Sequence, residues 1–476
     1  MTHGETAGWL RRVFNVRAGE AAALIWSCAY FFFVLSAYYV LRPIRDEAGV
    51  AGGVNVNLAL MFSFTLLGTM LLHPLYTAAV GRYPRRRFVP LAYRFFILNL
   101  VIFWALYRVV DPSQSVWIGR VFFVWTSVFN LFVVSVFWSF MADLYRPTQS
   151  RRLFGMVAIG GTLGAMTGAG ITASLVTVVG PINLLLVSAA IIELATQASN
   201  VLDRHEAKLR RAGEDDDAPD APRSAAESRR DEVIGGRVLD GIRHVLRSPY
   251  LLGIAALMLF FTVASTFLYF QQLDIVSRTI TDDPARRTQI FGLRDVATNF
   301  LTLMAQAFLT GRILRWFGVG VALAFLPVVT FIGFGVLAAA PVLVVVIAFD
   351  VLRRAGNFAI QRPAREALYT VLPRTDKFKA KNFNDTFVYR LGDQLGAWSY
   401  PGLAWLGLTL SALSFTMLPL SLGWFALAFW LGRQYAARER GTVSPPDAGT
   451  PSAGSPATRD PSVATGGAGQ RPFRPL

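Results

Sequence analysis

Long apolar runs separated by short polar connections make up most of this chain. Twelve runs read as crossing helices, since a bilayer core needs about 17–25 mostly apolar residues to span. Six fall near 21–41, 57–80, 90–107, 116–141, 153–179 and 182–197. Six more fall near 250–272, 291–310, 318–339, 341–361, 383–405 and 408–431. Pro327 and Pro401 lie inside runs, where they are expected to kink a helix that bundle packing still tolerates.

The pattern breaks once in the interior. Residues 200–249 hold ten Lys/Arg and eleven Asp/Glu, including Glu214, Asp215, Asp216 and Asp217, with Pro219 and Pro222 behind them. Such a stretch buries too little apolar surface to offset the entropy of ordering it. The expected division is an N-terminal segment (1–20), a six-helix bundle (21–199), a charged linker (200–249), a second six-helix bundle (250–432) and a disordered tail (433–476) rich in Pro, Gly, Ser and Thr. The expected fold class is an all-α integral membrane protein of twelve transmembrane helices in two pseudo-symmetric bundles. A short echo accompanies this symmetry: Ala142, Asp143, Leu144, Tyr145 precede run five, and Ala364 to Tyr369 precede run eleven.

Composition and charge sharpen the picture. The chain is 54 % hydrophobic and 16 % charged, against about 25 % charged for soluble domains. Its formal net charge of +16 does not point to nucleic acid, because the central segment is near neutral and the excess sits in short connections. Arg82 to Arg87, Arg146 to Arg152, Arg312 with Arg315, Arg362 to Lys381 and Arg433 to Arg440 all fall on the side of the N-terminus. Positive connections favour the cytoplasm, so both termini and the linker are expected there. The first run is too long for a signal-peptide core. Cys28 is the only cysteine, which rules out an intrachain disulfide and disfavours a thiolate metal site. No cofactor or metal is expected. Neither a phosphate-binding Gly-Lys-Ser/Thr loop, a His-Glu-x-x-His pattern nor a Gly-x-Ser-x-Gly pattern occurs, so the chain does not read as an enzyme.

A charge at the centre of a crossing helix costs about 2.5–3.5 kcal/mol on insertion scales, so each needs an account. Those within or bordering the runs are Arg42, Arg45, Arg94, Arg120, Glu193, Arg294, Asp295, Asp350, Arg353, Arg354, Arg390 and Asp393. Arginines outnumber acids, and the guanidinium fork suits phosphate or carboxylate. Arg42, Arg45, Arg353 and Arg390 are the candidates for holding an anion, with Asp46, Asp350, Asp393 and Glu193 as pairing or coupling acids. Arg42 and Asp46 could instead pair internally at a spacing of four. Arg390 and Asp393, three apart, could neutralise each other, with Arg353 or Asp350 as a cross-helix partner. Arg94 and Arg120 could snorkel to headgroups. Gly160, Gly164 and Gly168 form a small-residue stripe suited to helix packing.

The stretch Tyr39, Val40, Leu41, Arg42, Pro43, Ile44, Arg45, Asp46 resembles the end of the first membrane helix of the non-mitochondrial ATP/ADP translocases of bacteria and plastids. Arg362, Pro363, Ala364, Arg365, Glu366, then Lys377, Lys379, Lys381, Asn382, Phe383, Asp385, Tyr389 and Arg390, resemble the tenth-to-eleventh helix region of the same family. The similarity spans about residues 20–431, and Arg45 stands where the family commonly has lysine. It implies a major-facilitator-like fold, exchange of ATP for ADP and phosphate, and substrate contacts at Arg42, Arg45, Lys379 and Lys381. The reading that results is a secondary transporter of an anionic solute, most specifically a nucleotide exchanger, acting as a monomer among membrane lipids without nucleic acid. The alternatives are a major facilitator carrier of another organic or phosphorylated anion, or a non-transporting membrane sensor or assembly protein.

Overall fold

A computed structural model describes residues 20–214, 248–373, 380–381 and 383–442. Helices α1 (Ala21–Ala51), α2 (Val56–Arg82), α3 (Arg85–Val109), α4 (Pro112–Leu144), α5 (Pro147–Val179) and α6 (Leu184–Glu214) form the first half. The second half has α7 (Pro249–Thr279), α8 (Pro284–Phe308) and α9 (Thr310–Ala339). Helix α10 runs continuously through Leu343–Gly356, a π-helical turn at Asn357–Gln361 and Arg362–Leu368. Helix α11 joins a second π-helical turn, Asn384–Val388, to Tyr389–Trp405, and α12 is Leu410–Thr442.

Nine of the helices among the described residues are long and apolar enough to cross a membrane. The sequence pattern predicts twelve such crossings. The three that fall short are α8, whose apolar run is broken by charged residues including Arg294 and Asp295, and α10 and α11, which are interrupted by π turns. The protein is therefore an all-α, multi-pass membrane protein whose count of uniformly apolar spans is lower than expected.

The largest differences between helix ends and apolar runs are extensions of the helix. Helix α1 does not stop near Leu41 but continues through Pro43 to Ala51, and Asp46 and Glu47 lie buried in that extension. Pro43 carries no N–H, so the Tyr39 carbonyl loses its helical partner. Helix α6 continues to Glu214, into the stretch read as a linker, and α12 continues to Thr442, past the tail boundary at 433. The acidic residues 215–217, both linker prolines and the tail from 443 lie outside the described residues. Gly180 ends α5 at φ +78°, a left-handed conformation that glycine adopts without a Cβ penalty, and Gly318 at φ +75° breaks α9 at the expected start of its run.

Two apolar cores coincide with the two halves. One gathers buried residues from Ala23 to Leu202. The other is built from α7 to α12 and borrows Val50, Leu58, Ala59, Met61 and Phe123 from the first half. The halves meet where α8 packs on α5 and α1, α2 on α11, and α7 on α1. Within the first half, a Cβ at Gly160, Gly164 or Gly168 of α5 would collide with backbone at Cys28, Phe32 or Ser36 of α1. Gly392 and Gly396 of α11 lie equally close to Thr262, Val263 and Thr266 of α7.

Because backbone rather than a yielding side chain blocks the site, Gly164→Ala is expected to destabilise the bundle by about 1–3 kcal/mol. The thermal transition of the purified protein measures this, with Gly155→Ala, which meets nothing within 4 Å, as the control.

Candidate functional site

The buried charges of α1, α8 and α10 converge at the junction of the halves. Asp46 is fully buried and receives both Nε and Nη2 of Arg45 on Oδ1, at 3.1 and 2.6 Å. Tyr269 of α7 donates its hydroxyl to the same oxygen at 2.9 Å. Its other oxygen accepts from Nη2 of Arg294 at 2.7 Å, which bridges the halves. Arg294, 1 % exposed, also donates to Asp295 Oδ1 and to Gln272 Oε1, at 2.9 and 3.0 Å.

A second layer surrounds this pair. Asp295 Oδ1 takes Arg354 Nη1 at 3.1 Å and lies 3.3 Å from Nη1 of Arg42, another link between halves. Asp350 Oδ2 lies 3.5 Å from Arg354 and 3.7 Å from Arg294. Arg353 donates to the Phe261 carbonyl at 3.2 Å and to the Ser265 hydroxyl, both on α7, with its guanidinium 5.5 Å from the Phe261 ring. Arg45 lies 5.4 Å from the Phe123 ring and 5.9 Å from that of Tyr269, geometries in which aromatic faces favour a cation.

Above the cluster, Glu47 and Arg287 form a two-bond pair at 2.7 and 2.8 Å, each side chain 8 % exposed, and Arg287 also donates to the Ile280 and Thr281 carbonyls. Ser63 donates to Gln394 and accepts from Trp398, and Gln289 donates to the Ala173 carbonyl. These bonds between the halves, described so far, lie toward the face where α1 ends and α8 begins. At the face where α1 begins, bonds close within each half: Arg152 and Gln149 on Glu20 in the first, Tyr250 on the Leu368 carbonyl and Lys381 on Glu366 in the second.

The residues singled out from sequence separate into groups. Arg42, Arg45, Asp46, Asp350 and Arg353 belong to the central cluster. Asp46 does not pair with Arg42 at a spacing of four; it takes Arg45 and Arg294, because α8 lies against α1 and supplies a closer cation. Arg390 and Asp393 stand 3.8 Å apart, and Asp393 accepts from Thr266, not from Arg353. Glu193 lies apart from the cluster in a 3.4 Å pair with Arg94, both substantially exposed. Arg120 does not snorkel outward but donates twice to the Gly52 carbonyl. Lys381 pairs with Glu366 at 2.6 Å near the other end of α10, Arg365 is buried against Met258, and Lys379 lies outside the described residues. Arg294, Asp295, Arg354, Gln272 and Tyr269 hold central places that the site assignment from sequence passes over. Their one sequence signal is polarity inside an apolar run. Among the described residues, no group of three or more His, Cys, Asp or Glu is placed to hold a metal ion.

Comparison with known proteins now bears on this arrangement. A family model described as the Major Facilitator Superfamily matches residues 21–361, well over half of the chain. The chain belongs to the major facilitator superfamily. It is accordingly a transporter of small solutes and not an enzyme. Among solved structures, this facilitator is similar in fold to the xylose transporter XylE from E. coli in its inward open conformation. That match has a TM-score of 0.56 at 12 % identity, over 87 % of this chain and 96 % of that one. An auto-inhibited peptide transporter of the POT family matches with a TM-score of 0.54 at 13 % identity, over 90 % and 99 %. No curated protein matches the sequence.

Removing the common donor leaves several buried acceptors stranded, so Arg294→Gln is expected to cost about 3–5 kcal/mol, read as a lowered thermal transition. Arg294→Lys restores the charge but not the fork and should recover only part. In a Cys28→Ala background, Glu47→Gln should raise the reactivity of a cysteine placed at Ser265 toward an impermeant thiol reagent applied from the α1-end face. Unchanged labelling there would assign the Glu47–Arg287 pair no part in closing that face.

Proposed function

We propose that this facilitator carries an organic or phosphorylated anion across the bacterial inner membrane by alternating access. The observation that supports this is a charge surplus. Arg42, Arg45, Arg294, Arg353 and Arg354 set against Asp46, Asp295 and Asp350 leave two formal positive charges over, in an apolar bundle where an unmatched cation is costly. An anionic solute supplies the missing charge. Arg294 is enclosed by its partners, whereas the side chains of Arg42, Arg45 and Arg354 keep 13, 14 and 16 % of their surface open and can turn to a ligand.

In this reading α8, α10 and α11 also cross, giving twelve helices in two six-helix bundles. The repeated glycine contacts, α5 on α1 and α11 on α7, favour two bundles related as parallel repeats. The basic connections place both termini in the cytoplasm. The bonds joining the halves gather at the opposite face, as expected of a form open to the cytoplasm. Asp393, held by Thr266 and Arg390 near the site, is the acid best placed to couple transport. The carrier works as a monomer among lipids.

Nucleotide exchange is the narrower form of the proposal. It is supported by the likeness of Arg42, Arg45 and Asp46 to the translocase motif, and in it the freer guanidiniums would hold phosphates, with Lys379 and Lys381 as an entry site.

Uptake of labelled ATP, and separately of phosphate esters and dicarboxylates, into proteoliposomes tests both levels. Exchange dependent on internal ADP supports the narrower form, and uptake of another organic anion supports the broader one. Arg42→Gln and Arg353→Gln should each lower uptake at least about tenfold in normally inserted protein. Undiminished uptake by both variants would remove the cluster from the solute path.

A further inference from the structure

One strip of polar chemistry runs on beyond the arrangement above. Asp350, Arg353, Asn357 and Gln361 recur along α10 at spacings of three and four, which puts them on one face of the helix. Arg353 bonds α7, and the neighbouring Arg354 bonds α8, so this face looks into the space the three helices share. Three of the four carry a buried polar atom without a hydrogen-bond partner, Nε of Arg353, Oδ1 of Asn357 and both side-chain heteroatoms of Gln361, while Oδ2 of Asp350 has only its longer ion pairs with Arg354 and Arg294. Gln272 of α7, which spends its oxygen on Arg294, leaves its Nε2 unpaired as well.

These atoms are expensive where they stand. Gln361 is 0 % exposed, and a buried polar group left unpaired costs about 1–3 kcal/mol. An apolar side chain of the same volume would avoid that cost. The π-helical turn Asn357–Gln361 contains the lower two residues of the strip, and such turns inside α-helices are frequent at functional sites. Eleven residues separate Asp350 from Gln361, which at 1.5 Å per residue is about 16 Å, longer than an inorganic anion can bridge. Carboxamides both donate and accept, so Asn357 and Gln361 match hydroxyls, amides and heterocycle edges but not an alkyl body.

We infer that α10 reads the uncharged part of the solute, which is an organic anion carrying hydroxyl or amide groups. Its charge lies among the arginines around Arg353, and its neutral polar body is hydrogen-bonded along Asn357 and Gln361. This rests on the anion reading of the cluster and adds the substrate class and two specificity-determining residues.

Ribose 5-phosphate and n-pentyl phosphate carry the same charged head on five-carbon bodies that differ in hydroxyls, and both can be titrated calorimetrically into the purified full-length protein. The sugar phosphate is expected to bind at least about tenfold more tightly, since a site built to hydrogen-bond its ligand discriminates against an analogue lacking the partner groups. Gln361→Met, close in volume, should bring that ratio near one while leaving n-pentyl phosphate binding unchanged, and Asn357→Leu should act in the same direction. A strip that only fills space predicts the opposite: Gln361→Met would raise the thermal transition and leave the ratio alone. Equal affinities in the unaltered protein, or a ratio that Gln361→Met does not move, overturn the inference and leave the anion site standing. Binding of neither phosphate by folded protein overturns this inference, and the uptake of ATP and dicarboxylates described above decides the anion reading separately.

Discussion

Asp46 and Arg294 meet across the two halves with almost no surface open to solvent, and much of the architecture follows from keeping both ionised. A carboxylate or guanidinium taken out of water loses several kcal/mol of solvation, which one partner returns only when the remaining hydrogen-bonding capacity is also filled. Asp46 therefore gathers Arg45 and Tyr269 beside Arg294, and Arg294 gathers Asp295 and Gln272 beside Asp46. The pair requires α1 and α8 to lie side by side. Both are brought close by α5: Gly160, Gly164 and Gly168 let it ride on the α1 backbone, and Gly292 of α8 sits against Ala169 and Ala173 of α5. Close packing of glycine thus sets the distance at which the charges operate. Such a pair contributes less to net stability than to deciding which helix faces meet.

What the sequence reveals follows from what each interaction needs. An apolar run announces itself because lipid and protein interior both demand it, so the succession of helices and the break after the sixth are legible. Helix ends are not, because a run stops at the first charge and the helix does not. Arg42, Arg45, Asp46 and Glu47 end the first run on paper, yet they continue α1 because partners elsewhere neutralise them. The same cause conceals the first turns of α8, which starts at Pro284 rather than near 291, and its charges place it below the apolarity of a plain span. Charged residues of the cluster stand out one by one, but their partnership spans 248 positions and depends on helix rotation, which a helix apolar on nearly all sides does not encode. Neutral members such as Tyr269, Gln272 and Gln361 raise no alarm in a sequence, since one hydroxyl or amide is ordinary in any helix. Glu193 shows the converse, a charge inside a run that pairs with Arg94 apart from the cluster, both substantially exposed.

The position of the charges also explains how occupancy and shape could be linked under the anion proposal. Arg42 reaches Asp295, and Arg294 reaches Asp46, so the ion pairs that line the site are the ones that tie the halves together. A solute anion that draws Arg42 away from Asp295 weakens that tie in the act of binding. A ligand shifts a conformational equilibrium only by the difference in its affinity for the two states. Under the proposal the difference has a physical source: Arg42 is shared with Asp295 in the tied form and would be freed for the solute where the halves separate at that face. Glu47 and Arg287 stand one layer further out and touch no member of the site, so their pair sets how firmly that face is held without depending on the solute. Under the anion proposal, two such layers, one exchangeable and one fixed, would give the carrier a closed face that yields to its substrate but not to an empty site.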